Sequence, residues 1–115
     1  MLFVGYKKCS TSNKAQQWLD NQNVEYTFRD IKGENPTLEE LYDWYKKSGQ
    51  PLKRMFNTSG MLYKELSLKD KLPTMSEEEQ LQLLSTNGML VKRPILVKED
   101  KVVFGFDQQK WQDAI

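Results

Sequence analysis

The chain holds one cysteine, Cys9, and no histidine in 115 residues. A single thiol excludes an internal disulfide. Without histidine, neither a Cys/His metal centre nor a Cys–His catalytic pair can form within one chain. Any activation of Cys9 must therefore come from backbone N–H groups, lysine or arginine. An excess of one charge is also missing. Seventeen lysines and arginines face 16 acids, so no overall field recruits nucleic acid. Long apolar runs are missing too. Met1–Tyr6 is too short for the core of a signal peptide, and no segment approaches the roughly 18 apolar residues a membrane crossing needs. These absences lead us to expect a cytoplasmic protein with no metal, no membrane partner and no direct contact to nucleic acid, its thiol kept reduced.

What is present is an ordinary globular mixture, 38% apolar and 29% charged. It suits one domain spanning residues 1–115, large enough for a core without disulfides or metal. There are no repeats or linkers. Leu2–Tyr6 reads as a buried strand, and Ala15, Trp18 and Leu19 take helical spacing within residues 12–21. Val24–Phe28 alternates apolar and polar with period two, the pattern of a half-buried strand, and residues 30–36 read as a loop.

Thr37 with Glu40 makes a capping box, followed by an apolar stripe through Leu38, Leu41, Tyr42 and Tyr45 that stops at Ser48-Gly49. Pro51 opens a further helix carrying Leu52, Met55 and Phe56. A short helix is expected over 62–66. Ser76 with Glu79 repeats the capping box before a helix that Gly88 is expected to end. Ile95–Val97 and Lys101–Phe104 flank a polar turn as an antiparallel hairpin. Gly105 breaks it, and Asp107 caps a last helix with Phe106 and Trp111 as its hydrophobic staple. The order is β-α-β, a block of helices over about residues 37–88, then β-β-α. That is a thioredoxin-like α/β fold with a mixed four-stranded sheet and a helical insertion between its halves.

Cys9 falls at the first strand-to-helix junction, after Lys7 and Lys8. A thiol at a helix N-terminus feels the positive end of the peptide dipole and unpaired N–H groups, which favour thiolate. The functional reading is a nucleophile; the bland alternative is a loop thiol or small hydrophobe. Ser12 makes the pattern Cys-x-x-Ser. One helical turn brings its hydroxyl beside the sulfur, where it can hydrogen-bond but cannot resolve a mixed disulfide; serine also commonly starts helices. Arg93 precedes Pro94, a pair that often marks a cis peptide ahead of a strand, and in this fold the loop faces the cysteine. Arg54 and Asn57 belong either to a polar helix end over the thiol or to a solvated terminus. Lys46-Lys47 and Lys69-Asp70-Lys71 read as solvated surface, and the tryptophans as core rather than a base-stacking platform.

Three stretches together, Tyr6–Ala15, Phe56–Gly60 with Tyr63–Leu66, and Arg93–Val97 with Val103–Asp107, resemble the arsenate reductase-like (ArsC/Spx) family of thioredoxin-fold proteins over essentially the whole chain. The resemblance implies a cis Pro94, Cys9 as the residue that attacks an oxyanion, Arg93 as its holder, and glutathione with a glutaredoxin as reductant. The residues expected to serve the reaction with Cys9 are Ser12 and Arg93, and those expected to bind the substrate are Lys8, Ser10, Thr11, Arg54, Asn57 and Pro94.

Three departures stand out. Asn57 occupies the place of one family arginine, Gly105-Phe106 the place of another, and the family's histidine near the cysteine is absent. Each charge-assisted contact is worth about 1.5–3 kcal/mol, so a dianion such as arsenate loses most of its neutralisation. The expectations are, in order, a monothiol oxidoreductase using a small thiol or glutaredoxin-like reductant, an Spx-type regulator binding the RNA polymerase α subunit, and an arsenate reductase.

Overall fold

A computed structural model describes residues 1–115. The chain runs β1 (Leu2–Gly5), α1 (Ser10–Asn21), β2 (Thr27–Asp30), α2 (Leu38–Ser48), a 3-10 turn (Leu52–Met55), α3 (Met61–Glu65), α4 (Leu68–Lys71), a second 3-10 turn (Leu72–Thr74), α5 (Glu77–Ser85), a third (Gly88–Leu90), β3 (Ile95–Val97), β4 (Val102–Phe104) and α6 (Gln108–Ala114). The sheet order is β2-β1-β3-β4. β1 lies parallel to β2 and antiparallel to β3, and β3 antiparallel to β4. This is the mixed four-stranded thioredoxin-like sheet that the element order predicts.

Strand alternation splits the interior in two. Phe3, Leu96 and Val103 point to one face and join Ala15 and Leu19 of α1 with Trp111 and Ala114 of α6. Val4, Ile95, Val102 and Phe104 point to the other face, into a larger cluster with Leu41 and Trp44 of α2, Leu81 and Leu84 of α5, and Met55, Phe56 and Leu90. The helical segment between β2 and β3 therefore roofs one face of the sheet.

Both capping boxes form: Thr37 and Ser76 each accept from the N–H three residues on and are answered by Glu40 and Glu79. Asp107 caps α6 by accepting from the Lys110 N–H at 3.1 Å, and the Phe106 and Trp111 rings stack edge-on at 5.1 Å.

Several local expectations need correcting. The second strand is Thr27–Asp30, not 24–28. β1 pairs from Leu2 opposite Thr27, so residues 24–26 have no neighbouring strand, and their apolar side chains only pad the α1/α6 core. α1 begins at Ser10, two residues earlier than the apolar spacing indicates. α4 and its 3-10 extension were not legible, although Leu68 and Leu72 anchor them by burial.

Gly88 does not end α5, which stops at Ser85. It instead lets the chain press against the β2–α2 loop, because a Cβ there would lie 1.9 Å from the Ile31 carbonyl oxygen. The insertion is also tied to the segment entering β3. Phe56 and Val91 form an antiparallel bridge, the Asn57 N–H donates to the Leu90 carbonyl and the Lys92 N–H to that of Met55, both at 2.8 Å.

Candidate functional site

Cys9 is the N-cap residue of α1, with extended backbone at φ −102° and ψ 120°. Its N–H donates to the Tyr6 carbonyl at 2.9 Å, and its own carbonyl accepts from the Asn13 N–H at 3.1 Å, the first turn of the helix. An N-cap side chain ordinarily accepts from the N–H of the second or third helical residue, here Thr11 and Ser12. As a thiol, Cys9 makes no such bond; as a thiolate, it is met by those same N–H groups.

The sulfur is half-buried. Burial pushes its pKa up, but hydrogen bonds from the Ser12 N–H, the Ser12 hydroxyl and the Thr11 N–H, together with the Arg93 charge, outweigh that penalty and hold it below the ordinary cysteine value.

Ser12 is the one buried polar residue, at 2% exposure. It does not cap the helix. Its oxygen accepts from the Tyr6 N–H at 3.2 Å, which leaves its single proton free to point at Cys9. The loop between them is braced by Asn13, whose side-chain amide donates to the Lys7 carbonyl at 2.9 Å.

The Arg93–Pro94 peptide is cis and Pro94 is buried. Arg93 Nη1 donates to the Met89 and Val91 carbonyls, each at 3.3 Å. With its amide oxygen turned toward the guanidinium, Asn57 accepts from Nη2 at 3.0 Å and Nη1 at 3.3 Å. The guanidinium lies over the Tyr6 ring at 5.5 Å from its centroid, and Nε is buried with no partner. A cation held so firmly acts on the sulfur as a fixed charge.

The remaining candidates divide. Lys8 and Ser10 are exposed, and the charge that bears on the sulfur is that of Arg93. Asn57 stands beside Arg93 as its acceptor. Arg54 is exposed and shares a cleft with Thr11 instead. Sequence reasoning missed Tyr6 as the platform under Arg93 and Asn57 as its anchor. A cue existed only in Asn57-Thr58-Ser59-Gly60: Gly60 closes this turn by donating to the Asn57 carbonyl at 3.1 Å.

Comparison with known proteins agrees with this geometry. The ArsC family model matches residues 4–114. An ArsC family related protein from Bacteroides fragilis has a solved structure with TM-score 0.97 and 54% identity, covering 99% of this chain and 96% of that one. The uncharacterized protein YusI of Bacillus subtilis is 46% identical over 113 residues, 98% of this chain and 96% of that protein. The global transcriptional regulator Spx 2 of Oceanobacillus iheyensis is 29% identical over 101 residues, 87% of this chain and 73% of the regulator. A thioredoxin-like sheet, a cysteine at the first helix N-terminus facing an Arg-cis-Pro turn, and a family model matched from the first strand to the last helix establish that this chain belongs to the ArsC family.

Proposed function

We propose that this chain is a cytoplasmic monothiol oxidoreductase resembling the glutaredoxin-coupled arsenate reductases, with Cys9 as its nucleophile. The observation that carries this reading is the sulfur in the N-cap acceptor position of α1, its pKa lowered by Ser12, Thr11 and Arg93. The Cys9 thiolate attacks one sulfur of an oxidised substrate RS–SR′. The S–S bond breaks, Cys9–S–SR forms, and R′S⁻ leaves. Ser12 offers an oxygen in place of a second thiol, so the mixed disulfide is resolved from outside. A reduced thiol, glutathione or a glutaredoxin-like protein, attacks the substrate-derived sulfur and returns Cys9 as thiolate. The Ser12 hydroxyl and the α1 N–H groups stabilise sulfur as both nucleophile and leaving group.

The test is alkylation of Cys9 by iodoacetamide across pH, with Cys9→Ser as blank, followed by intact-mass detection of a Cys9–glutathione disulfide that reduced glutathione removes. A thiol pKa at or above the unperturbed value of about 8.5 would overturn the reading.

A second reading is favoured by the likeness to a transcriptional regulator over 87% of this chain: a non-catalytic protein that docks on the RNA polymerase α subunit. It predicts capture of that subunit by both the wild type and Cys9→Ser. Arsenate reduction ranks third. Of three family arginines only Arg93 is present, Asn57 is spent on Arg93 itself, and Gly105 offers no side chain. A coupled assay with arsenate, glutathione and glutaredoxin is expected to show no Cys9-dependent turnover.

A further inference from the structure

The helical insertion encloses a cavity of about 460 Å³ that shares no lining residue with the Cys9 site. This volume falls within the range of small-molecule sites, roughly 300–1,000 Å³. Leu52 from the 3-10 turn after α2, Tyr63 from α3 and Leu72 from the second 3-10 turn give it a buried apolar floor, and α2 and α5 close its sides. Internal contacts hold these walls. The Tyr45 O–H donates to Glu77 Oε1 at 3.0 Å and ties α2 to α5. Gln80 Nε2 donates to the Leu72 and Met75 carbonyls, each at 3.2 Å, and pins the second 3-10 turn to α5. The Tyr63 ring meets that of Phe56 edge-on at 6.4 Å. The cavity is therefore preformed.

Two features of its lining contribute nothing to stability. Tyr63 is only 7% exposed, yet no group of the protein pairs with its hydroxyl. That oxygen is not sealed in either; it opens on the cavity that Tyr63 lines. A buried tyrosine usually finds a partner for its O–H, so this hydroxyl is an unused donor. Lys53 and Lys69 stand exposed at the rim. Both salt bridges of the molecule, Arg29–Glu40 and Lys47–Asp43, lie elsewhere, so neither lysine is paired. The one carboxylate in the lining is Glu77, which Tyr45 already engages. In the sequence, Lys69-Asp70-Lys71 reads as solvated surface. The fold instead brings Lys69 to the same opening as Lys53, 16 positions away, and leaves Asp70 outside the lining.

We infer that this cavity binds a small organic carboxylate with a flat apolar body. The body packs on Leu52, Leu72 and the Tyr63 ring. The carboxylate accepts from the Tyr63 hydroxyl and lies between the ammonium groups of Lys53 and Lys69. Small-molecule sites combine an apolar lining with a few polar groups that fix orientation in this way. A neutral ligand leaves both lysines without a counter-charge, and a wholly polar anion leaves the apolar floor wet. The inference is independent of the chemistry of Cys9 and stands whether or not the oxidoreductase reading does.

The experiment is an amide NMR titration of the full chain with naphthalene-1-acetate and with its neutral isostere naphthalene-1-acetamide. Saturating shifts are expected at Leu52, Lys53, Tyr63 and Lys69, with an affinity for the anion on the order of millimolar. At low salt the anion is expected to bind about five- to tenfold more tightly than the amide. Lys53→Gln/Lys69→Gln changes only exposed side chains and should bring the two ligands to within about twofold of each other. Tyr63→Phe keeps the ring and should weaken anion binding by about tenfold. Equal binding of anion and amide, or a preference that the double lysine variant retains, overturns the inference. An affinity unchanged in Tyr63→Phe overturns it as well. So do shifts scattered over the surface, and so does the absence of any shift.

Discussion

The side-chain oxygen of Asn57 accepts from Arg93 Nη2 at 3.0 Å, joining the helical insertion to the turn that faces the thiol. Asn57 thereby makes the arginine a fixed feature of the scaffold. Replacing Asn57 with alanine leaves a guanidinium edge without its acceptor and is expected to cost about 1.5–3 kcal/mol, the range for hydrogen bonds to charged groups; urea unfolding measures it. Asn57→Asp is the sharper variant. It keeps the contact but neutralises the guanidinium, so the Cys9 pKa should rise and alkylation at neutral pH should slow without the loss of stability.

Ser12 serves two partners at once, accepting from the Tyr6 N–H and donating to the Cys9 sulfur. Ser12→Ala should therefore raise the thiol pKa, which the pH profile of alkylation reports. It should also strand the Tyr6 N–H beside a buried methyl group, at about 1–3 kcal/mol. A Ser12→Ala protein with an unchanged alkylation profile would remove Ser12 from the thiolate's support.

The thiol also sets a pH dependence of stability. Its folded pKa lies below the unfolded value, so the ionised form favours the native state. That contribution is complete above the unfolded pKa of about 8.5 and is lost as pH falls through the depressed folded value. The difference in unfolding free energy between wild type and Cys9→Ser should therefore move in favour of wild type as pH rises through this window. A flat difference would mean that the fold does not stabilise the thiolate.

Arg29 and Glu40 form a second, structural charge centre. Arg29 donates to both Glu40 oxygens, at 2.6 and 2.8 Å, while Glu40 Oε1 also accepts from the Thr37 N–H at 3.0 Å. The Arg29 guanidinium holds the Glu40 carboxyl below the usual carboxylate range. Its contribution should be full above about pH 4.3 and lost as pH falls through the depressed value. Glu40→Gln should cost about 1–2 kcal/mol at neutral pH and flatten the acid limb of a denaturation curve.

Gly88→Ala tests the glycine with the least room for a side chain. A Cβ 1.9 Å from the Ile31 carbonyl oxygen forces the β2–α2 loop away from the third 3-10 turn. The expected loss is at or above the upper end of the roughly 1–3 kcal/mol range for overpacking, read as a lower thermal midpoint.

How much was legible varied with the range of the interaction. Thr37 with Glu40, Ser76 with Glu79, and Asp107 with Phe106 and Trp111 announce their helix starts because each signal lies within five residues and is satisfied locally. The second strand starts three residues later than the alternation of residues 24–28 predicts, because the ladder depends on where β1 begins. Gly88 reads as a helix stop in the sequence because its real constraint, the Ile31 carbonyl, lies 57 positions away in the chain.

By itself, the sequence determined that one thiol without histidine had to be activated by backbone, lysine or arginine, and that β-α-β, helices and β-β-α make a thioredoxin-like sheet. These follow from composition and periodicity, which are properties of neighbours along the chain. Only the tertiary structure decided that Asn57 holds Arg93, that Ser12 links Tyr6 to Cys9, and that Arg54, Lys92 and Lys110 line one cleft beside Thr11. Asn57 lies 36 positions from Arg93 and Thr11 lies 99 from Lys110, while Ser12 joins the end of a strand to the start of a helix. The geometry of such contacts exists only once the insertion has closed over the sheet and the Phe56–Val91 bridge has brought the Asn57 turn against Arg93.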